Sequence, residues 1–228
     1  MFYLLDRQAQ RQRFFSRSRM YGDVDWLNFD EVIAAFRVRI DDWYLEPAKN
    51  LATNIHFAFS LMALNCLLID TLSQFVSGAS RSTGRDFVKF VRTELPSPYQ
   101  IALPNPIRHS DGSSPEKLLN DVPEVIYHGI RCGILHQGHM MPYAGVVPNA
   151  PEPVQVFDSG PTRYSDTDLP CPYVVVGPIA FHQDLSDYFG QYLSWLGDRD
   201  PANDRRRVTF KKKFSESFGV DISKSTFS

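Results

Sequence analysis

The stretch from Tyr127 to His139, YHGIRCGILHQGH, contains three histidines, one arginine and one cysteine. Histidine exchanges protons near neutral pH, so it can act as a general acid or base. Arginine presents a fixed fork of donors that suits phosphate oxygens. Together, Arg131 and His136 can cleave a phosphodiester without a metal: the arginine stabilises charge and the histidine moves a proton.

The same stretch is predicted to lie on a helix. Ser113 or Ser114 as cap, Pro115 and Glu116 form a helix-start pattern, and Gly138 is a plausible end. On an ideal α-helix one face is apolar and faces the core; it comprises Leu119, Ile126, Ile130 and Ile134. The ionisable groups share the opposite face, and Arg131 and His136 flank its centre line.

Two glycines, Gly129 and Gly133, lie inside this predicted helix. Each costs roughly 1 kcal/mol relative to alanine. Glycine within a helix is best tolerated where another backbone approaches closely. The pattern predicts a helix with two contact faces, one that packs on the core and one that meets a partner.

Three other interpretations of the histidines stay open. His128 and His139 can be ordinary surface or core-edge residues. His128, Cys132 and His136, at i, i+4 and i+8, have a spacing that helical zinc sites use, although no acidic or cysteine pair obviously completes the set. The ionisable face can also be a dimer surface without chemistry.

The segment RCGILH resembles the motif of the HEPN superfamily, in which an arginine precedes a histidine late in the helix that closes a small bundle. A long apolar helix from about Ala48 to Phe75 and a looped insertion precede the motif, as in that family. The resemblance covers roughly residues 28–140. It implies a mainly α, HEPN-like helical bundle.

The resemblance also implies a function. HEPN proteins are usually homodimers with facing motif helices, and many are metal-independent endoribonucleases in toxin–antitoxin or defence systems. Arg131 would hold the scissile phosphate, and His136 would act as general acid or base while the RNA 2′-hydroxyl attacks, leaving a 2′,3′-cyclic phosphate. No cofactor is implied, and any antitoxin or defence partner is unknown.

One departure from the family pattern supports an alternative function. The family often has Asn, Asp or His directly after the arginine, whereas this chain has Cys132. Since some members are non-catalytic, the alternative is a silent dimerisation or binding module. A metal-binding regulatory protein is a third interpretation.

Supporting residues are predicted outside the catalytic pair. His128, Cys132 and His139 share its helix, and Asp70 interrupts an apolar run, where a charge is costly unless paired. Asp70 can orient the Arg131 guanidinium, or it can lie where its helix reaches the surface. Two basic segments, at 7–19 and 205–213, can contact RNA or be solvated surface. The second segment contains Arg205, Arg206, Arg207, Lys211 and Lys212.

Composition sets the broad class. The chain has 228 residues, of which 43% are hydrophobic and 22% are charged, so a well-buried core is expected. The net charge of −2 argues against a uniformly basic surface. Three isolated cysteines suit a reducing cytosol. The longest apolar run, residues 57–69, is shorter than the roughly 18 residues of a membrane span, so we expect a cytoplasmic protein without one.

The elements divide into three predicted regions. Residues 1–27 form a basic arm. Residues 28–140 form the bundle: a helix that Pro47 ends or kinks, the long apolar helix, a short amphipathic helix GRDFVKFVRTEL, a loop from Pro96 to Ser114, and the motif helix. Residues 141–228 form an extension with a hairpin of PVQVF and PYVVVG, one further helix from about 180 to 197, and a basic tail.

Overall fold

A computed structural model describes residues 13–110, 116–159 and 171–228. The protein is mainly α-helical with two small sheets among the described residues, which confirms the predicted class. It forms two compact units. The first takes its described residues from Met1–Asn50, Asp70–Ser82 and Ser186–Ser228, and the second from Leu51–Ile69 and Thr83–Leu185.

The first helix does not end at Pro47, where the sequence predicted an end or a kink. Helix α1 (Phe29–Ile40) starts at the Asn28 cap, passes through a π-helical turn (Asp41–Leu45) and continues as α2 (Glu46–Ala52). In the π turn the Glu46 N–H donates to the carbonyl five residues back, that of Asp41. Proline has no backbone N–H and cannot donate a helical hydrogen bond. The π-helical turn lies just before Pro47, and the chain stays helical beyond this proline.

The long apolar helix is shorter than predicted. Asn54 accepts a hydrogen bond from the His56 N–H and begins a 3₁₀ turn (Ile55–Phe57), after which α3 runs from Ala58 to Ser77. Gly78, with φ of +72°, ends it near the predicted position. By length and composition Ile55–Ser77 could cross a membrane, with mean hydropathy 1.7, but 44% of this stretch is buried. Core helices of soluble proteins share these properties.

Phenylalanine rings form the core of the first unit, which accounts for much of the chain's 17 phenylalanines. Phe36 lies 4.5 Å from Phe75 and 5.2 Å from Phe210 between ring centroids. Phe210 and Phe214 belong to helix α7 (Asp204–Phe218), which follows α6 (Pro178–Gly197). The segment predicted as a basic tail is therefore a helix that packs in the core, because buried phenylalanines recur among its charged residues.

Two strands in the second unit correct the predicted loop and helix start. After α4 (Gly84–Glu94), β1 (Ala102–His109) pairs antiparallel with β2 (Lys117–Asp121). Strand β1 contains Pro104 and Pro106, which are tolerated because they lie in an edge strand where the register is irregular. Residues 113–115 lie outside the described residues. Since Lys117–Asp121 is a strand, the motif helix starts only at Val122, capped by Asp121.

The extension contains the predicted hairpin and one more strand. β4 (Val154–Phe157) pairs antiparallel with β5 (Tyr173–Val176), which confirms the pairing of PVQVF with PYVVVG. On the other side of β5, β3 (Ala144–Val146) pairs in parallel. Sequence patterning missed β3 because three residues give too short an alternation to detect.

The motif helix is wound differently from an α-helix. It begins as α5 (Val122–Val125) and continues as two π-helical segments (Ile126–Arg131 and Gly133–Gln137). The Cys132 N–H donates to the Tyr127 carbonyl, and the Gly138 N–H to the Gly133 carbonyl, in each case five residues back. Gly138, with φ of +71°, ends the helix as predicted.

The two helix glycines accommodate the chain that returns after Gly138. A Cβ on Gly133 would lie 2.4 Å from the His139 carbonyl oxygen, and one on Gly129 would lie 2.7 Å from the Tyr143 ring. The returning backbone also bonds to the helix, since the Met141 N–H donates to the Gly129 carbonyl at 2.9 Å. A backbone does approach closely, as expected, but it belongs to the same chain. The glycines therefore give no support to a dimer.

Gly133→Ala should lower the free energy of unfolding by about 1–3 kcal/mol, because its methyl group would overlap a backbone oxygen that cannot rotate away. Urea unfolding followed by circular dichroism measures the change. Gly190→Ala is the matched control. Gly190 lies within α6 with open space around its Cβ position, so the same substitution should raise stability by up to about 1 kcal/mol. Equal stability of Gly133→Ala and wild type would contradict the close approach.

Candidate active site

Arg131 and His136 are in direct contact in the second unit. The Arg131 Nη1 lies 2.9 Å from the His136 Nε2. On an α-helix, residues five apart point about 140° away from each other, so the sequence pattern had placed them on opposite sides of the ionisable face. In a π-helix the bond runs from i to i+5, and residues five apart lie about one turn above each other. The winding thus brings the pair together.

The chemistry of the two groups sets the direction of a hydrogen bond between them. A guanidinium donates hydrogen bonds and accepts none. As a hydrogen bond, this contact would therefore run from the Arg131 Nη1 to the His136 Nε2. A neutral imidazole nitrogen is the form that a general base needs. The geometry presents a base with its lone pair held next to a cation.

The two side chains of the pair differ in their exposure to solvent. The His136 side chain is exposed and Arg131 is half-buried. The guanidinium carbon of Arg131 lies 5.6 Å from the centroid of the Tyr127 ring, within the range of a cation–π contact. Tyr127 packs in turn on Phe87, with ring centroids 5.4 Å apart. Arg131 is therefore positioned from below by a packed ring, while His136 faces solvent.

A layer of rings and imidazoles continues from Tyr127 into the interior. The Tyr127 and His128 rings are 4.8 Å apart, and His128 is 4.9 Å from His109. His109 is only 4% exposed, and its Nδ1 lies 2.7 Å from the Tyr143 hydroxyl. His128, predicted to support the site, packs between the Tyr127 and His109 rings, and its supporting role stays a prediction.

Sequence reasoning missed His109 and Tyr143. His109 lies in the segment predicted as loop, and Tyr143 follows the helix end. The available signal was the alternation of Ile107, Arg108 and His109, which are buried, exposed and buried in β1. Pro104 and Pro106 outweighed that signal, because prolines normally argue against a strand.

The other predicted supporting residues have separate surroundings. Cys132 is half-buried within the motif helix, and exposed His139 has its Nδ1 2.9 Å from the Met140 carbonyl. Asp70, in the first unit, accepts a hydrogen bond from the Ser82 hydroxyl at 2.9 Å. Its pairing with Arg131 stays a prediction.

The five cations predicted to bind RNA lie on α7 or at its start, and three of them have partners within the chain. Arg207 is 7% exposed and bonds to the Asp204 carboxylate and two carbonyls. Arg206 lies 4.3 Å over the Trp195 ring, and Lys211 donates to the Ser225 carbonyl. Burial lowers the pKa of Lys211. Arg205 and Lys212 are exposed, so a role of this helix in RNA binding depends mainly on them.

Metal ligation was an alternative for His128, Cys132 and His136. Within residues 13–110, 116–159 and 171–228, no group of three or more His, Cys, Asp or Glu side chains has the proximity to hold a metal ion. The side chains gathered here are an arginine, imidazoles and phenols. This set offers a cation and exchangeable protons.

No family model, curated protein or solved structure matches this chain.

Tyr143→Phe should lower the free energy of unfolding by about 1–2 kcal/mol, because it removes a buried hydrogen bond to His109 and leaves the shape unchanged. Urea unfolding measures the loss. Tyr173→Phe is the control: this half-buried hydroxyl makes no hydrogen bond within the described residues, so the change should stay within about 0.5 kcal/mol. If both variants lose the same stability, the Tyr143–His109 bond contributes nothing specific.

Proposed function

We propose that the protein is a metal-independent endoribonuclease of HEPN type that acts as a homodimer in the cytoplasm. The observation that carries this proposal is the 2.9 Å contact between the Arg131 Nη1 and the His136 Nε2 on an exposed helical surface. An arginine and a histidine held together at the surface match the needs of phosphodiester cleavage. The finer fold, an HEPN-like bundle around this helix, is part of the same proposal.

In the proposed reaction the substrate phosphate takes the place of His136 on the Arg131 guanidinium. This exchange frees Nε2 to accept the proton of the neighbouring 2′-hydroxyl. The 2′-oxygen then bonds to phosphorus, the bond from phosphorus to the 5′-oxygen breaks, and the leaving oxygen takes up a proton. The products are a 2′,3′-cyclic phosphate and a 5′-hydroxyl.

Arg131 would stabilise the negative charge that develops on the phosphate oxygens. Fixed donors aimed at such charge usually supply the largest single part of catalysis. The ring of Tyr127 beneath the guanidinium limits its rotation, so little reorganisation is needed when the charge develops. The guanidinium would also bind two oxygens of one phosphate in a fixed plane.

The need for two proton transfers favours a dimer. One imidazole cannot accept the 2′-hydroxyl proton and donate to the leaving 5′-oxygen in the same step. A second copy of the chain would bring a second, exposed His136 to the same cleft. One histidine would then act as the base and the other as the acid.

Cys132 is the specific observation that favours a second candidate function. A thiol follows the motif arginine in place of the amide, carboxylate or imidazole common in the family. Without that polar group, the surface around Arg131 and His136 would serve as a silent dimerisation or binding module. Loss of activity in the experiments below, with dimerisation retained, would select this candidate.

His136→Ala and Arg131→Ala should each reduce cleavage of single-stranded RNA by about 10²–10⁴-fold, because one removes the proton acceptor and the other the charge stabilisation. Single-turnover cleavage of a labelled RNA measures the loss. His139→Ala is the matched control, since it removes an exposed imidazole three residues along the chain and should keep most of the activity. Both catalytic variants should keep wild-type stability within about 1 kcal/mol, because the side chains lie outside the core.

Two substrate controls test the chemistry of this cleavage. RNA with a 2′-deoxy nucleotide at the cleaved position should resist, because the attacking oxygen is missing. EDTA should leave the rate unchanged, and the products should end in cyclic phosphate. Wild-type protein that leaves varied RNAs intact would reject the nuclease proposal.

Wild-type protein should sediment as a dimer at micromolar concentration. Sedimentation velocity measures this state directly. If the cleft is shared, exchange of subunits with an excess of His136→Ala chains should lower the activity below the share of wild-type chains, because each mixed dimer has only one His136. Sedimentation as a monomer at every concentration tested would rule out the shared cleft.

A further inference from the structure

A basic groove of about 610 Å³ lies beside the motif helix in the second unit. We call it the α4 groove, because three of its cations lie on α4. Arg85, Lys89 and Arg92 are spaced i, i+4 and i+7, so they share one face of this helix. Lys117 of β2 adds a fourth cation from the adjoining sheet. The first two cations on α4 are separated by about 6 Å along its axis, at 1.5 Å per residue.

The positive charge of the groove is only partly neutralised. Arg92 is paired: its Nε donates to the Asp121 carboxylate at 2.9 Å, and Glu124 lies 3.8 Å from its Nη2. No ion pair within the described residues involves Arg85, Lys89 or Lys117. All three residues are exposed. The groove therefore carries surplus positive charge, which attracts an anion.

Two rings of the motif helix, Tyr127 and His128, also line the groove. Gly84 makes room for one of them, since a Cβ at that position would lie 2.5 Å from the Tyr127 ring. A cationic channel combined with exposed ring surface is how proteins bind single-stranded nucleic acid, because bases stack on the rings while phosphates meet the cations. Double-stranded RNA is bound mostly through its shape and sugar hydroxyls, so its bases cannot use these rings.

The groove adjoins the Arg131–His136 pair through one side chain. Tyr127 lines the groove, and the centroid of its ring lies 5.6 Å from the guanidinium carbon of Arg131. A strand that stacks on Tyr127 would therefore have its next phosphate close to Arg131. We propose that the α4 groove binds the backbone of single-stranded RNA through Arg85, Lys89 and Lys117 and guides it to Arg131. This inference deepens the proposed nuclease function and rests on it for the role of the bound strand.

Fluorescence anisotropy with a labelled oligouridylate of about ten nucleotides tests the inference. The protein used is the full chain carrying His136→Ala, so that binding is measured without cleavage. In this background, Arg85→Gln, Lys89→Gln and Lys117→Gln are combined. Affinity should fall by roughly tenfold or more, and the slope of log K against log salt should become shallower by about 2, at 0.7 per lost phosphate contact.

The matched control removes the same charge elsewhere. Arg37→Gln, Lys49→Gln and Lys224→Gln are combined; all three are exposed residues of the first unit. The control should keep the wild-type affinity and salt slope. Equal losses in both triple variants would overturn the inference, because they would show that only overall charge matters. Each variant should give the wild-type unfolding curve, since no buried contact is removed.

Three further probes identify what the groove recognises. Uridine monophosphate and inorganic phosphate should compete weakly with the oligouridylate, whereas a blunt RNA duplex should bind less tightly than the single strand. Competition by inorganic phosphate equal to that by the oligonucleotide would replace RNA with a small phosphate ligand and overturn the inference. Tyr127→Leu should weaken oligouridylate binding by several-fold with little change in salt slope, because stacking is lost and the charges remain.

Cleavage measurements separate this inference from the proposed function. If wild type cleaves nothing but the groove triple variant loses binding as described, the groove binds single strands and the nuclease proposal alone fails. If wild type cleaves RNA and the groove triple variant both binds and cleaves like wild type, the nuclease proposal stands and the groove inference fails.

Discussion

The hydrogen bonding from i to i+5 along residues 126–137 is the constraint on which the candidate site depends. It places Arg131 next to His136, which α-helical winding would separate. Such winding is uncommon and is often found at functional sites. Here it is held from outside the helix: Tyr143 packs on Gly129, and the returning backbone at His139 lies against Gly133. The contact of Arg131 with His136 thus depends on packing that only glycine permits.

Four side chains of the second unit form a row of contacts that runs from the buried core to the half-buried Arg131. Tyr143, His109, His128 and Tyr127 contact one another in that order, and Tyr127 then supports Arg131. Tyr127 also forms part of the α4 groove, so one side chain serves both the proposed binding surface and the proposed catalytic pair. A change to this ring should therefore affect binding and positioning together, whereas a change to His136 should affect only the chemistry.

Positive charge is used in two different ways in the two units. In the first, Arg207 and Lys213 are buried and bond to carboxylate, amide or carbonyl oxygens, and Arg39 packs 4.7 Å over the Phe218 ring. Burial lowers the pKa of Arg39 and Lys213, as expected where charged groups leave water. In the second unit, the cations of the α4 groove remain largely exposed. The dense run RRRVTFKKK therefore includes cations that are buried or bonded within the chain, so charge density in the sequence does not by itself mark a binding surface.

The sequence by itself determined the elements whose signals are local. The segment GRDFVKFVRTEL forms α4, Gly78 and Gly138 end their helices, and the β-branched runs at 154–157 and 173–176 pair as predicted. It also singled out Arg131 and His136 as a candidate catalytic pair, which stays a prediction. It could not determine the strand at 102–109, because prolines mask the alternation of an edge strand, nor the helical path of the RRRVTFKKK segment. Only the tertiary structure decided that Arg131 and His136 meet, because π winding is stabilised by Tyr143 and the His139 backbone, and such packing leaves no periodic pattern in the chain.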